Sequence, residues 1–483
     1  MDIQETISQL EGFRQALYGT LDARADATMG LIDALSTNTS ARSAVELSLS
    51  PFFVHSYNSV YDAIDNFFRA SGEEKAQEKR RSREHVFTRL IAAHIPKPQQ
   101  RRFWLFGIDV TPLSRPFAVT LPDRTFVHQP NTIRGNKPIA IGHQYSVLVA
   151  FPEKETGTSP LWVVPLSVRR VPSKQTGNEV GAGQIGDLMD DDTLPFHRDL
   201  CVQVEDSAYS VVTFLGPVAR HENLVTVARL RGNRVLCRLP SQAEAGSQPG
   251  HPTWYGERFD LQDSSTWGEP DEVAQTTYTT RRRRTYIVHL EAWHDLLMSG
   301  TCDCPMHRYP FTVIRIWLTD EQGNRVFKRD LWLVVFGKRR RELSLVEAWE
   351  AYGQRYDVEH FFRFGKQRLL LAAYQTNDAR REENWWQMVA LAYVQMWLAR
   401  LLVEAMPRAW ERYLPPSDSG EASPAAVQRD LGRIIREIGT PANPPKPRGK
   451  SPGRAKGEQQ PPRKRHPVIR KGSQTGEKAS APA

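Results

Sequence analysis

Short apolar runs fill the middle of this chain, from about residue 100 to residue 340. "RRFWLFGIDV" is almost continuously apolar, and "HQYSVLVAFPE", "PLWVVPLSVRRV" and "LCVQVED" follow it. Runs of this length and composition are typical of strands in a buried sheet. The middle of the chain therefore predicts a central β-sheet, with further strands in "TYIVHLEAW", "FTVIRIWLT" and "RDLWLVVFG".

Segments with helical periodicity flank these strands. Apolar residues recur at spacings of three and four in "ETISQLEGFRQAL" and "SVYDAIDNFFRA", and the same period returns from Ser344 to about Arg412. With 483 residues the chain is also too long for one ordinary core, so two or three domains are expected. Together these features predict an α/β protein.

Nearly all of the net positive charge lies at the C-terminal end. From Tyr413 to Ala483, 14 Lys and Arg stand against 6 Asp and Glu, which accounts for eight of the nine net positive charges. This stretch is also rich in Pro, Gly and Ser, so we expect residues 414–483 to form a disordered basic tail. A basic protein most often has a polyanionic partner, although a basic tail alone does not demonstrate one.

The sequence argues against membrane-spanning and secreted proteins. No apolar run approaches the ~20 residues of a membrane span, and the acidic, amphipathic N-terminus is unlike a signal peptide. Four cysteines, Cys201, Cys237, Cys302 and Cys304, are too few for a disulfide framework, so we expect a reducing, cytoplasmic location. Cys302, Cys304 and His307 leave a zinc site open, but their spacing is not a standard one and packing is favoured.

Two aspartates occupy unusual positions in apolar strands. Asp109 lies inside "FWLFGIDV", where a charge is costly unless it is paired or binds a metal. Asp206 ends "LCVQVED" and shares a face with Val202 and Val204, whereas Glu205 falls on the opposite face. Both aspartates could instead be ordinary turn residues at strand ends. Their shared setting favours a functional site.

A third group of polar residues lies in "YGQRYDVEHFFRFGK". On one continuous helix Tyr352, Arg355, Glu359 and Lys366 would fall within about 60° of one another, with Arg363 beside them. A solvated helix face would also gather charges, but such a face rarely needs a tyrosine. Together with the two aspartates, Glu359 suggests a cage for a hard divalent cation such as Mg²⁺. The neighbouring cations would then hold a phosphodiester backbone.

The same four residues match the Y-x2-R-x3-E-x6-K signature, and in this the chain resembles the IS4-like DDE transposases of bacterial insertion sequences. "GIDVT" resembles the first aspartate strand of that family, "VEDSAY" the second, and "VARLRGNRVLCRLP" the basic strand that follows. Ser207 stands where Gly or Ala is common. The similarity spans roughly residues 50–412 and is greatest to the IS701-like branch.

This resemblance implies an RNase H-like catalytic core with Asp109 on its first strand, Asp206 at the end of its fourth and Glu359 on a later helix. These three would be the catalytic residues and the ligands of Mg²⁺, for which Mn²⁺ could substitute. Residues expected to bind DNA are Tyr352, Arg355, Arg363, Lys366, Arg231 and Arg234.

The division that we expect has five parts: an N-terminal helical region that could bind DNA ends, a first part of the core, a β-rich insertion, a second, helical part of the core and a basic tail. Their predicted ranges are 1–98, 99–215, 216–340, 341–413 and 414–483.

The implied function is cut-and-paste transposition. A homodimer would bind the terminal inverted repeats in double-stranded DNA, cleave there and join the freed ends to target DNA. The protein would then be cytoplasmic, associated with the bacterial nucleoid when bound to DNA. Two alternatives remain: an RNase H-like nuclease that cuts without joining, and a domesticated DNA-binding protein that no longer cuts.

Overall fold

A computed structural model describes most of the chain. The described residues are 3–68, 73–129, 137–154, 159–241, 253–280, 282–406, 408, 410, 420–446, 457, 459 and 461–471.

Four α-helices precede the sheet. Their bounds are α1 Ile3–Gly19, α2 Ala25–Ser36, α3 Tyr57–Asn66 and α4 Glu73–Ala92. Helix α2 is buried along nearly its whole length. The buried Arg14 of α1 donates to Asp33 of α2 at 2.5 Å and to Gln395, far along the chain, at 2.8 Å. These helices therefore share one core with the remainder of the protein.

The strands form one large mixed sheet and one small hairpin. Their bounds are β1 Trp104–Ser114, β2 Thr125–His128, β3 Ile139–Ala150, β4 Val164–Arg170, β5 Cys201–Glu205, β6 Leu224–Leu230, β7 Val235–Cys237, β8 Arg258–Asp260, β9 Glu272–Thr279, β10 Thr285–Leu296, β11 Phe311–Thr319 and β12 Leu331–Phe336. The large sheet runs β2-β3-β1-β5-β6-β12-β11-β10-β9, with β4 also paired to β3, and β7 pairs with β8. This architecture confirms the predicted α/β class.

Direction within the sheet decides which strand ends meet. Strands β1, β5 and β6 are parallel neighbours, so their carboxyl ends lie at one edge. Strand β3 is antiparallel to β1, and β4 is antiparallel to β3, which brings the carboxyl end of β4 to the same edge. We call this the carboxyl edge of the sheet.

Apart from the small β7–β8 pair, the strands of the β-rich segment 216–340 do not form a separate sheet. Strand β6 pairs with β5, on the far side of the predicted boundary at residue 216. Strand β12 then pairs antiparallel with β6, and β11, β10 and β9 continue outward from it. Because β6 offers an open edge, the segment extends the sheet that carries the predicted aspartates.

Helices cover both faces of the sheet. Their bounds are α5 Gly177–Asp190, α6 Val212–Val218, α7 Leu345–Gln354, α8 Asp357–Arg368, α9 Ala379–Leu398, α10 Arg400–Ala405 and α11 Pro424–Ile438. Helix α5 begins at a capping box in which Thr176 and Glu179 satisfy each other's amides. Helix α9 is buried along most of its length and carries Gln395, the partner of Arg14. No helix among the described residues is long and apolar enough to cross a bilayer.

The predicted single helix through Tyr352 and Lys366 is wrong. Helix α7 ends at Gln354 and α8 begins at Asp357. Between them the amide of Arg355 donates to the carbonyl of Tyr352 at 3.1 Å, and the amide of Glu359 donates to that of Tyr356 at 3.1 Å. These tighter i to i+3 bonds change the rotation per residue. The two halves of the motif therefore lie on separate helices.

The predicted disorder of the C-terminal tail is wrong for two parts of it. Helix α11 buries Val427, Leu431, Ile434 and Ile435 on one face, an i, i+4, i+7, i+8 pattern. Its residue Gln428 also donates to the carbonyl of Arg368 at 3.1 Å. Residues 461–471 are the second ordered part. Residues 414–419, 447–456, 458, 460 and 472–483 of the predicted tail lie outside the described residues.

Candidate active site

The sheet places Asp109 and Asp206 side by side. Strands β1 and β5 are paired in parallel up to Gly107 and Val204. Two residues further along each strand come Asp109 and Asp206, so both fall on the same face at the carboxyl edge. Asp206 lies in the turn that follows β5, where its Oδ1 accepts from the Ala208 amide at 2.7 Å. The two predicted aspartates thus meet.

Alternation along β1 decides where Asp109 points. Ile108 and Val110 face helix α5, where a Cβ on Gly177 would lie 2.8 Å from Val110 Cγ2. Asp109 and Thr111 face the other way, toward helix α8, and Thr111 Oγ1 accepts from Lys366 Nζ at 2.7 Å. The close approach of α5 to β1 therefore orients Asp109 toward the helix that carries Glu359.

Electrostatics links Asp109 to the other two predicted carboxylates. Burial first, and then the charge of Asp206, raises the pKa of Asp109 to about 6. The Val110 amide, which donates to Asp109 Oδ1 at 2.8 Å, and the charge of Arg355 lower that pKa, whereas Glu359 raises it further. The charges of Asp206 and Glu359 therefore both act on Asp109, and Arg355 is the cation that partly offsets them; we call these three acidic residues the carboxylate cluster.

Glu359 lies in the first turn of α8, where its side chain is 51% exposed. Arg355 Nη2 is 3.5 Å from its Oε1, and the Arg355 side chain is only 10% exposed. The Arg355 guanidinium also lies over the ring of Tyr356, 4.4 Å from its centroid. Arg355 thus contacts Glu359 on one side, and its charge also acts on Asp109.

The remaining motif residues differ in accessibility. Tyr352 is 2% exposed, so its ring packs in the core and does not face solvent. Lys366 is partly buried, and a second bond to the carbonyl of Pro112, at 3.2 Å, ties α8 to β1 beside Asp109. Arg363 is exposed. Of the expected DNA-binding residues on α7 and α8, only Arg363 and part of Lys366 face outward.

Arg231 and Arg234 lie in the turn after β6, not along a strand. The Arg234 amide donates to the carbonyl of Arg231 at 3.1 Å, and Arg234 Nη2 donates to the carbonyl of Ser210 at 3.3 Å. Because β6 runs parallel to β5, this turn projects from the same carboxyl edge as Asp206. The fold therefore brings both arginines to the side of the carboxylates.

Glu205 is a neighbour that the sequence analysis set aside. Its face is opposite to that of Asp206, as the period of two predicts, but it is fully buried. Neither carboxyl oxygen makes a hydrogen bond of normal geometry among the described residues. Burial, followed by the charges of Asp109 and Asp206, raises the pKa of Glu205 well above its usual range. The two adjacent acidic residues in "VQVED" were the sequence signal that could have identified Glu205 as part of the site.

Within the described residues, no three Asp, Glu, His or Cys side chains converge as ligands of one metal ion. The zinc site considered for Cys302, Cys304 and His307 is therefore not supported. The His307 ring instead stacks on Trp254 with centroids 4.3 Å apart, and Cys304 packs against Gly216. Asp109 and Asp206 do fit a hard divalent cation, because they offer oxygen ligands from adjacent strands and repel each other without one.

Comparison with known proteins agrees with this geometry. A model of the DDE superfamily endonuclease family matches residues 16–295, more than half of the chain. The match includes Asp109 and Asp206 and ends before Glu359. A comparison with curated protein sequences gave no match. The family implies transposase-type nuclease activity, a DNA substrate and the use of divalent metal ions. On its sequence and on the paired aspartates of its sheet, the chain belongs to the DDE superfamily endonucleases.

Proposed function

We propose that the protein is the DNA transposase of an insertion sequence, of the IS4-like group and its IS701-like branch. It binds terminal inverted repeats, cleaves the DNA there and transfers the freed strand to target DNA. The observation that carries the proposal is the meeting of Asp109 and Asp206 at the carboxyl edge, with Glu359 acting on Asp109 from α8.

The sheet supports an RNase H-like core. Five strands lie in the order β4-β3-β1-β5-β6, in which only β3 runs against the others. The first strand in sequence is central and carries Asp109, and Asp206 follows the strand beside it. This agrees with the arrangement that the resemblance to DDE transposases implies.

Asp109, Asp206 and Glu359 are the residues that would hold Mg²⁺, with Mn²⁺ as a substitute. When bound, such ions lower the pKa of an attacking water and stabilise the leaving oxygen. Asp109 and Asp206 are already adjacent. Glu359 is more than half exposed and bonded only loosely to Arg355, so its carboxylate is free to turn toward the aspartates. Arg355 then remains beside the cluster as a cation.

The cations around the cluster would position the DNA backbone. Arg355 and Lys366 lie next to Asp109 and can neutralise the phosphate that reacts there. The phosphates on either side of the reacting one would be bound by Arg363, Arg231 and Arg234. Tyr352 is assigned a supporting role, because it is buried under Arg355, whose guanidinium is 5.9 Å from the ring centroid.

A cleavage and joining reaction tests the proposal. Purified protein is incubated with labelled element ends, Mg²⁺ and a target plasmid, and the products are sequenced. The parent should cut at the ends and join them to the plasmid, whereas Asp109→Asn should bind the ends without cutting. Cutting without joined products would indicate a nuclease only. Binding without cutting by the parent would indicate a domesticated DNA-binding protein. A dimeric complex on two ends, measured by mass, would support the homodimer.

A further inference from the structure

A large groove lies at the β4 side of the carboxyl edge of the sheet. Its volume is about 1220 Å³, and its walls come from α4, the end of β4, the start of α9 and residues 463–466. Seven Lys and Arg side chains line it against four Asp and Glu. The lining is therefore strongly polar and carries a positive excess.

The acidic residues in the groove are already bound by arginines. Arg170 contacts both Asp123 and Glu383, the latter at 2.7 Å, and Arg169 contacts Glu84 at 2.9 Å. Arg463 and Lys464 are exposed, and neither has a carboxylate partner among the described residues. Of the positive charges that line the groove, these two are therefore available to bind an anionic ligand.

The segment that carries these cations is docked on the fold. The amide of His466 donates to the carbonyl of Val119 at 2.9 Å, and that of Ile469 donates to the carbonyl of Arg124 at 2.9 Å. Ile469 forms a parallel bridge with Thr125 at the start of β2. Backbone pairing at the sheet edge thus holds the segment in one register, which places Arg463 and Lys464 over the groove.

The register of the sheet connects the groove to the carboxylates. Thr111, two residues beyond Asp109, pairs with Tyr145, and Tyr145 pairs with Arg170 in the groove wall. Two strand spacings across the sheet, about 10 Å, combine with the rise of about 6.6 Å from Asp109 to Thr111 to put Arg170 about 12 Å from Asp109. Along one DNA strand, charges repeat about every 3.4 Å of duplex axis, so this separation corresponds to roughly three to four nucleotides. A duplex whose reacting phosphate lies at Asp109 can therefore reach the groove.

The wall between the groove and the carboxylates is rigidly built. Glu382, in the first turn of α9, is buried and bonded to His143 at 2.6 Å, to Tyr145 at 2.9 Å and to Arg115 at 3.3 Å. Although burial opposes it, these bonds hold the pKa of Glu382 below its usual value. The start of α9, which also lines the groove, is thereby tied to β3 and to the end of β1.

From this geometry we propose that the groove binds the phosphate backbone of duplex DNA that flanks the cleaved position. Arg463 and Lys464 of the docked C-terminal segment are the residues that contact it. The inference rests on the proposed function, since it takes Asp109 as the point of reaction. The size of the groove exceeds the ~300–1,000 Å³ of small-molecule pockets, which favours a macromolecular anion.

Salt-dependent binding tests this inference. Metal-free protein is titrated against a labelled duplex of ~30 base pairs at several salt concentrations. Arg463→Ala with Lys464→Ala should make the negative slope of log affinity against log salt less steep by about two. The same double variant should reduce affinity at 0.1 M salt by roughly tenfold per lost contact. The matched control, Lys328→Ala with Arg329→Ala, removes two exposed cations beyond the opposite side of the sheet and should behave like the parent. A parent-like slope in the groove variant would overturn the proposal.

A second variant separates a docked segment from a loose basic tail. Ile469→Pro removes the amide that donates to Arg124 but leaves every charge in place. It should weaken binding as the double alanine variant does. Parent-like binding by Ile469→Pro would show that the segment acts without docking. That result would refute the proposal that the docked segment forms part of the DNA-binding groove.

Cleavage assays distinguish the two proposals. At saturating protein the groove variants should still cut with Mg²⁺. If the parent itself fails to cut, the proposed function fails while the binding result still decides whether the groove contacts DNA.

Discussion

The paired carboxylates should make the metal-free protein less stable at neutral pH, and Asp109→Asn should relieve this. The pKa of Asp109 is about 6 in the fold, against an ordinary value of 3.8. Because folding raises this pKa, the ionised form is disfavoured in the folded state. The penalty is small below pH ~4, grows as pH rises between the two pKa values and is complete above pH ~6.

The magnitude follows from the rise in the pKa of Asp109 from 3.8 to about 6. At 1.36 kcal/mol per unit, the penalty is about 3 kcal/mol above pH 6 and roughly half of that at pH 5. Asn keeps the shape and removes the charge, so Asp109→Asn should raise the melting temperature at pH 8 by several degrees. The gain at pH 5 should be clearly smaller.

The assay is thermal unfolding with a chelator present, at pH 5 and pH 8, for the parent and for Asp109→Asn. Mg²⁺ is then added at pH 8, where it should stabilise the parent and leave the variant nearly unchanged, because binding to the folded state alone raises stability. An equal effect of Asp109→Asn at both pH values would refute the electrostatic reasoning. Equal stabilisation of both proteins by Mg²⁺ would remove Asp109 from the metal site.

Further outcomes follow from the same structure. Asp206→Asn and Glu359→Gln should each abolish cleavage and leave gel-shift affinity for DNA ends nearly intact; near-parent cleavage would remove that residue from the triad. Arg355→Ala should slow single-turnover cleavage and weaken end complexes, since it removes the cation beside Asp109, whereas a solvated face would change either by no more than about 0.5 kcal/mol. Leu431→Ala should destabilise the protein by about 2–5 kcal/mol, measured by denaturant unfolding, because Leu431 is fully buried; an unchanged midpoint would mean that α11 does not pack as described.

The local pattern of apolar and polar residues in the sequence was enough to select Asp109 and Asp206 as candidates. Asp109 interrupts an apolar run, and the period of two separates Asp206 from Glu205, so both could be chosen without knowing which strands pair. The same pattern predicted the sheet and the helices that flank it. These properties depend on near neighbours in the chain, and near neighbours can be read directly from a sequence.

Tertiary structure decided the remainder, because it depends on partners far away in the chain. The parallel pairing of β1 with β5 brings Asp109 to Asp206. The break at Arg355 turns Tyr352 into the core, which a helical wheel for a continuous helix could not show. The tail looked unable to build a core by its composition. Leu431 is buried because α11 packs against α9 and α10, and Ile469 is held by a bridge to Thr125 at the start of β2; the tail itself lacks these contacts.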